Sequence, residues 1–171
     1  PITDALAKTA IQLLRNNLGR TLESPDDLDL RSQIQTAALM AGFSMGTTQT
    51  ALAHSISYPI TSDFGMPHGF ACSFTLAEIA RFNGETDPER LSIVAEAFGC
   101  DTAGLANEII QWFCALGVPK YLAQYAKPED IDTIEGSLIN PARAKNNIRW
   151  GDNDIAVAIA KQSLASLAPS I

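Results

Sequence analysis

Apolar residues recur along this chain at three- and four-residue steps, and strict alternation of apolar and polar residues is rare. Steps of this size place apolar side chains on one face of an α-helix, whereas alternation is typical of a strand. We expect the first helix to end near Gly19, and its apolar stripe consists of Ile2, Leu6, Ala10 and Leu13. The pattern predicts an all-α helical bundle with no sheet.

Capping residues, prolines and glycines mark where the later helices begin and end. Ser24 followed by Pro25 predicts the start of the second helix. Inside that helix Gly42 and Gly46 cost stability, so we expect either close packing or a break there. Further helices are predicted over about 50–58 and 69–83, from Asp87 to Gly99, from Asp101 or Thr102 to Gly117, from Pro128 toward Leu138, and through Ile155, Ile159 and Leu164.

The composition is that of a globular protein. Apolar residues make up 46% and charged residues 18% of the 171 positions, a length that fits a single helical domain over 1–171. The net charge of −7 repels nucleic acid and anionic lipid, so we expect neither a nucleic-acid nor a membrane partner. No apolar run approaches the roughly twenty residues that span a bilayer.

The three cysteines predict a reducing compartment. Cys72, Cys100 and Cys114 are odd in number and lack the close paired spacing of a zinc-thiolate site. We interpret them as small buried hydrophobic residues and expect a cytoplasmic location.

Both histidines of the chain, His54 and His68, fall within one fifteen-residue window. Neutral imidazole is the commonest metal ligand in proteins. Pro59, Gly65 and Pro67 are turn formers that could fold the window back on itself, which would bring the two rings to one ion. Two nitrogen ligands are half of a metal site. The alternative is a pair of ordinary polar residues, since the spacing matches no short zinc motif.

Around these histidines the chain contains the elements Ala41-Gly42, Ala53-His54, Pro67-His68-Gly69 and Arg81-Phe82-Asn83. This string resembles that of the iron-containing alcohol dehydrogenases. The resemblance implies a catalytic Fe²⁺, or Zn²⁺ in some members, held by one Asp and three His, of which His54 and His68 are two. It further implies that the other two ligands and the domain that mainly binds NAD(P) lie upstream of this chain. The chain would then be a C-terminal fragment, inactive alone.

The function implied by the resemblance is hydride transfer between NAD(P) and a small alcohol or aldehyde in a full-length enzyme, which we expect to be a homo-oligomer. The competing hypothesis is a helical structural or oligomerisation module whose histidines are incidental. An Asp followed four residues later by a His, shortly before Pro1, would favour the enzyme.

Tyr58 is the catalytic candidate. Many members of the family carry a further histidine four residues after the first, and this chain has Tyr58 there. Its hydroxyl could act as a proton donor or hydrogen-bond partner. The alternative is a ring packed beside Pro59 with its hydroxyl in water.

Four residues are candidates for substrate binding. Arg143 and Lys145, with Arg149 nearby, give an otherwise acidic chain a basic stretch. This stretch is either a solvated loop or a clamp for an anionic aldehyde bearing a carboxylate, phosphate or phosphonate. The Ser57-Tyr58-Pro59 stretch and the run from Pro67 to Cys72 are similar to those of the phosphonoacetaldehyde reductases. Met45 and Thr50 would share a face with His54 if the segment were helical, although core packing explains Met45 equally well.

Overall fold

Helices joined by short turns make up the described part of the chain, residues 2–169 of a computed structural model, and these residues contain no strand. The helices are α1 (Ile2–Glu23), α2 (Leu28–Gly46), α3 (Leu52–Phe64), α4 (His68–Ser73), α5 (Leu76–Gly84), α6 (Pro88–Phe98), α7 (Leu105–Ala115), α8 (Val118–Leu122), a 3₁₀ helix (Pro128–Thr133), α9 (Pro141–Ala144) and α10 (Asn153–Ser166). The all-α prediction is confirmed. None of the described helices is both long and apolar enough to cross a membrane.

Helices α1 and α2 form a long antiparallel hairpin. The predicted end of α1 at Gly19 is wrong, because the helix continues to Glu23. A Cβ atom added at Gly19 would lie 3.7 Å from the Leu116 side chain, which is an ordinary contact distance. Ser24 therefore falls in the turn. Asp27 caps α2 instead, and its carboxylate accepts hydrogen bonds from the first backbone N–H groups of that helix.

Gly42 and Gly46 of α2 do not mark a close helix contact in the described chain. A Cβ atom added at Gly42 or Gly46 would meet no atom within 4 Å, and both glycines are exposed. Of the two expected alternatives, close packing is therefore wrong at both glycines, whereas the helix does end at Gly46, which agrees with a break there. The same helix also exposes large apolar side chains, among them Leu39 and Phe43.

A single bend separates α3 from α4. Pro59 lies inside α3, which runs on for five more residues, so this proline is not the turn former that we expected. The chain reverses at Gly65, whose φ of +65° suits glycine, and α4 begins just after Pro67. The helix predicted over 69–83 is divided into α4 and α5 at Thr75, which is fully buried.

The core gathers apolar side chains from α3 to α10. The largest fully buried ones include Ile56, Ile60, Phe74, Leu105 and Leu138. Each contributes roughly 1.5–3 kcal/mol relative to an exposed position. Because α3 contributes Leu52, Ile56 and Ile60 to this core, its opposite side is free to present other side chains to the bend.

The segment before α9 is fixed to α3 by one buried hydroxyl. Ser55 Oγ donates to the carbonyl of Leu138 at 3.0 Å and accepts from the backbone N–H of Asn140 at 2.6 Å. Ala144 of α9 is also fully buried. These contacts set where the rest of α9 lies relative to α3.

Candidate metal centre

The bend between α3 and α4 brings the two histidines together. His54 lies in the first turn of α3, and His68 is the first residue of α4. Their ring centroids are 5.8 Å apart in an edge-to-face arrangement. One ligand atom from each ring and the Sγ atom of Cys72 all lie within 4.8 Å of one another. Two imidazoles and a thiol form a donor set that suits Zn²⁺ or another first-row divalent ion.

The surroundings of His54 favour its neutral form. Partial burial lowers the pKa of the imidazole below its ordinary 6.5, and the nearby charges of His68 and Arg143 lower it further. A neutral ring keeps a free nitrogen lone pair at neutral pH. His54 is therefore available as a metal ligand without first losing a proton.

Cys72 is a site residue that the sequence reasoning missed. Cys72 lies one helical turn after His68 on α4, and its Sγ atom is 3.4 Å from His68 Nε2. Burial raises the pKa of this thiol, and a hydrogen bond with the Ser57 hydroxyl opposes the rise. The four-residue spacing between His68 and Cys72 could have indicated this contact, because residues four apart share a helix face.

The expectation that all three cysteines are buried hydrophobic residues is wrong. Cys114 is exposed, and Cys72 and Cys100 are half-buried. A cysteine count reports on the redox compartment but carries no information on which helix face each thiol occupies.

Tyr58 lies beside the histidine pair, one turn after His54 on α3. Its ring centroid is 5.8 Å from that of His68, and the Arg143 guanidinium carbon lies 4.9 Å from the ring centre. The side chain is 42% exposed, so the ring is flanked by the imidazole and the guanidinium and still reaches solvent.

Met45, Thr50 and Arg143 line a cavity of about 410 Å³. Neither histidine is part of its described lining, and the cavity adjoins the cluster through Arg143, which contacts the Tyr58 ring. Arg143 donates a hydrogen bond to Thr50 Oγ1. Met45 does not share a helix face with His54 as expected, because the chain leaves the helix between Gly46 and Leu52. It reaches the cavity from the end of α2 instead.

Lys145 is exposed and is not part of the cavity lining. Arg149 is also turned away, since its guanidinium pairs with Glu85 and lies 4.2 Å from the ring centre of Phe82. Of the three cations in this stretch, the structure places Arg143 alone at the cavity.

Asn146 is a second residue that the sequence reasoning did not select. Its side-chain amide donates to Gln49 Oε1 at 2.9 Å and to the Thr50 carbonyl at 3.1 Å. Both contacts cross from the end of α9 to the segment before α3. Asn146 and Gln49 therefore hold together the two loops that form the cavity walls.

A larger apolar cavity of about 780 Å³ lies between α1 and the helices α4 to α8. It is lined mainly by aliphatic and aromatic side chains, and the described residues around it include no titratable group. It therefore has no acid, base or charged group with which to act on a substrate.

Comparison with known proteins identifies one family. Residues 1–164 match the model of the Fe-containing alcohol dehydrogenase family, C-terminal. The 1,3-propanediol dehydrogenase of Klebsiella pneumoniae is 27% identical over 173 aligned positions, covering 95% of this chain and 45% of that protein. The mitochondrial hydroxyacid-oxoacid transhydrogenase of Homo sapiens is 32% identical, covering 81% of this chain and 35% of that protein. The chain thus spans less than half the length of these relatives.

Solved structures agree with this result. A 1,3-propanediol oxidoreductase superposes with a TM-score of 0.82 at 26% identity, over 95% of this chain and 45% of that one. An alcohol dehydrogenase from Oenococcus oeni gives the same TM-score and coverage at 25% identity.

Proposed function

We propose, since this chain belongs to the Fe-containing alcohol dehydrogenase family, that it is the metal- and substrate-holding part of an NAD(P)-dependent alcohol dehydrogenase. The reaction would be reversible hydride transfer between nicotinamide and a primary alcohol or aldehyde. The observation that carries the proposal is the approach of His54 and His68 across the bend after Gly65.

His54 and His68 would hold Fe²⁺ or Zn²⁺, which supplies Lewis-acid polarisation of the substrate oxygen when bound. Both side chains act as ligands and not as bases. Since the matched relatives are more than twice as long as this chain, we assign NAD(P) binding mainly to the part of those proteins that this chain does not match. On this proposal residues 1–171 are one helical domain of the enzyme and have no turnover by themselves.

Tyr58 is the proposed proton donor. Its hydroxyl belongs to a ring that touches both the imidazole of His68 and the guanidinium of Arg143, and the residue reaches solvent. A phenol beside the histidine pair could deliver a proton to an aldehyde oxygen during reduction. The alternative role, in which the ring only packs, would leave activity unchanged in a Tyr58→Phe variant.

The proposed substrate is an anionic aldehyde or its alcohol. Arg143 is a cation at the wall of the cavity and close enough to His54 to lower its pKa, and its fork of N–H donors suits a carboxylate, phosphate or phosphonate. Thr50 adds a hydroxyl at the same wall, and Met45 adds an apolar surface. The 32%-identical relative is named for hydroxyacids and oxoacids, which carry a carboxylate. Lys145 contributes only a diffuse positive charge on this proposal, because it lies outside the lining.

Replacement of His68 by Ala in the full-length enzyme tests the ligand role. We expect loss of bound metal and of NAD(P)-dependent turnover, and the same losses for His54→Ala. Near-normal metal content and activity in both variants would refute the proposal and leave a structural or oligomerisation role for these helices. Homo-oligomer formation and a cytoplasmic location stay predictions.

A further inference from the structure

We propose that Asn146 is a positioning residue for Arg143: its amide fixes the guanidinium at the cavity wall and thereby sets the preference of the site for anionic aldehydes. The inference rests on the proposed function, because Arg143 is the proposed anion-binding group. It assigns part of the substrate preference to a neutral side chain that acts through the cation.

The segment that carries Arg143 depends on contacts from outside to hold it in one place. Helix α9 is four residues long, and the chain from Lys145 to Asp152 consists of turns, bends and irregular backbone. A helix of one turn has no stability of its own, and a long side chain such as arginine loses many rotamers when it is fixed. The position of the guanidinium is therefore determined by the residues that contact α9 and its end.

Asn146 connects the end of α9 to the segment before α3. Its side-chain amide donates to the carbonyl of Ala142 at 3.2 Å, to Gln49 Oε1 at 2.9 Å and to the carbonyl of Thr50 at 3.1 Å. Its backbone N–H donates to the carbonyl of Arg143 at 3.0 Å. All five residues line the same cavity.

These contacts form a closed ring that includes the cation. Arg143 donates to the hydroxyl of Thr50, and Asn146 donates to the backbone carbonyl of the same threonine. The ring is completed by the backbone hydrogen bond from Asn146 to Arg143. Because the Thr50 hydroxyl orients the guanidinium, loss of the Asn146 amide would release the partner that holds the cation in place.

Asn147 holds the same segment from another side. Its amide donates to Asn83 Oδ1 at 2.7 Å, and the Asn83 amide donates back to Asn147 Oδ1 at 3.3 Å. Asn83 is a buried residue of α5. The two neighbouring asparagines thus bind to different parts of the fold, so a variant that lacks the Asn146 amide stays attached to α5 through Asn147.

Asn146→Ala in the full-length enzyme tests the role by steady-state kinetics with phosphonoacetaldehyde and propanal, which differ in their anionic group. The KM for phosphonoacetaldehyde should rise by roughly threefold to tenfold, as expected for the loss of one hydrogen bond. The kcat values and the KM for propanal should change by less than about twofold. Gln124→Ala is the matched control, because Gln124 is an exposed amide that bonds only to the Lys120 carbonyl in its own turn.

A double variant separates positioning from a general structural effect. If Asn146 acts through Arg143, Arg143→Gln/Asn146→Ala should be no worse with phosphonoacetaldehyde than Arg143→Gln alone. Two independent effects would instead multiply.

The position of the guanidinium can also be measured without turnover, by NMR spectroscopy of the 171-residue chain. The Arg143 guanidinium carbon lies 4.9 Å from the centre of the Tyr58 ring, so the ring current displaces the signal of the Arg143 Nε–H group. Arg143→Lys identifies this signal by its loss. Asn146→Ala should move it toward the position of exposed arginines, while the backbone signals of α5 stay in place and show that the variant is folded.

The outcomes distinguish this role from the proposed function. An unchanged Arg143 signal, equal losses with both aldehydes, or a full further loss in the double variant overturns the positioning role and leaves the dehydrogenase function standing. A displaced signal in a chain whose full-length enzyme has no NAD(P)-dependent turnover supports the positioning role and removes the dehydrogenase function.

Discussion

The guanidinium carbon of Arg143 lies 4.9 Å from the centre of the Tyr58 ring, and the same guanidinium donates to Thr50 Oγ1. The cation is thereby held between an aromatic face and a hydroxyl, at the wall of the cavity that Met45 and Thr50 also line. Only part of its donor fork is used by these contacts, because arginine has five N–H groups. A substrate anion could therefore bind to the remaining donors without displacing the side chain.

Arg143→Gln in the full-length enzyme should raise KM for an anionic aldehyde by roughly tenfold to a hundredfold, because a hydrogen bond to a charged group contributes about 1.5–3 kcal/mol. The KM for an uncharged aldehyde should change little, and steady-state kinetics with both substrates measure the difference. Lys145→Gln is the matched control, since Lys145 is exposed and outside the cavity lining. Equal losses with both aldehydes would contradict an anion-binding role for Arg143.

The sequence predicted the helices and the histidine pair, but it could not predict that Arg143 lines the cavity and Lys145 does not. Periodicity and caps predicted the helices, and the string around His54 and His68 predicted the pairing of two imidazoles. The pattern could not separate Arg143 from Lys145, because their side-chain directions depend on α9, a helix of four residues fixed by Ser55. Cys72 was missed because cysteines were assessed by number and spacing to one another and not by spacing to His68.

Ser55→Ala should destabilise the chain by about 1–3 kcal/mol. The substitution removes a buried hydroxyl that both donates to Leu138 O and accepts from Asn140 N, so a buried carbonyl and a part-buried N–H group lose their partner. Urea unfolding followed by circular dichroism measures the loss.

Ser62→Ala is the control for that change, because Ser62 lies on the same helix, is exposed and bonds only to its own neighbours Pro59 and Asp63. Its effect should stay within about 0.5 kcal/mol. A similar stability for both variants would mean that the Ser55 hydroxyl does not anchor the segment before α9.

The metal-free chain should lose stability as the pH falls from 6.5 through the lower pKa that His54 has in the folded chain. The pKa of this imidazole in the folded chain lies below its ordinary 6.5, owing first to burial and then to His68 and Arg143. Between the two values the unfolded chain binds more protons, so its free energy falls relative to that of the folded chain as the pH decreases. The contribution of neutral His54 to the free energy of unfolding is complete above pH 6.5 and is lost as the pH falls through the folded-state pKa of this imidazole.

His54→Gln tests this assignment, because glutamine keeps a polar side chain that does not titrate. Urea unfolding at a series of pH values between about 8 and 5 should show a smaller decrease in the free energy of unfolding for this variant than for the wild type. Parallel pH profiles for the two proteins would assign the acid sensitivity to other groups.

The bend that brings His68 to His54 should depend on the left-handed backbone at Gly65. A Cβ atom at this position would meet no atom within 4 Å, so Gly65→Ala should act through backbone strain alone and cost about 1–2 kcal/mol. Because Gly65 lies three residues before His68, the metal content of the full-length enzyme should fall as well. Gly42→Ala is the matched control: it also adds a methyl group in open space, but within α2, where it should stabilise the chain by about 0.5–1 kcal/mol. Urea unfolding of both variants and metal analysis of the corresponding full-length enzymes measure the two effects, and a Gly65→Ala variant as stable as the wild type would show that the bend does not need this conformation.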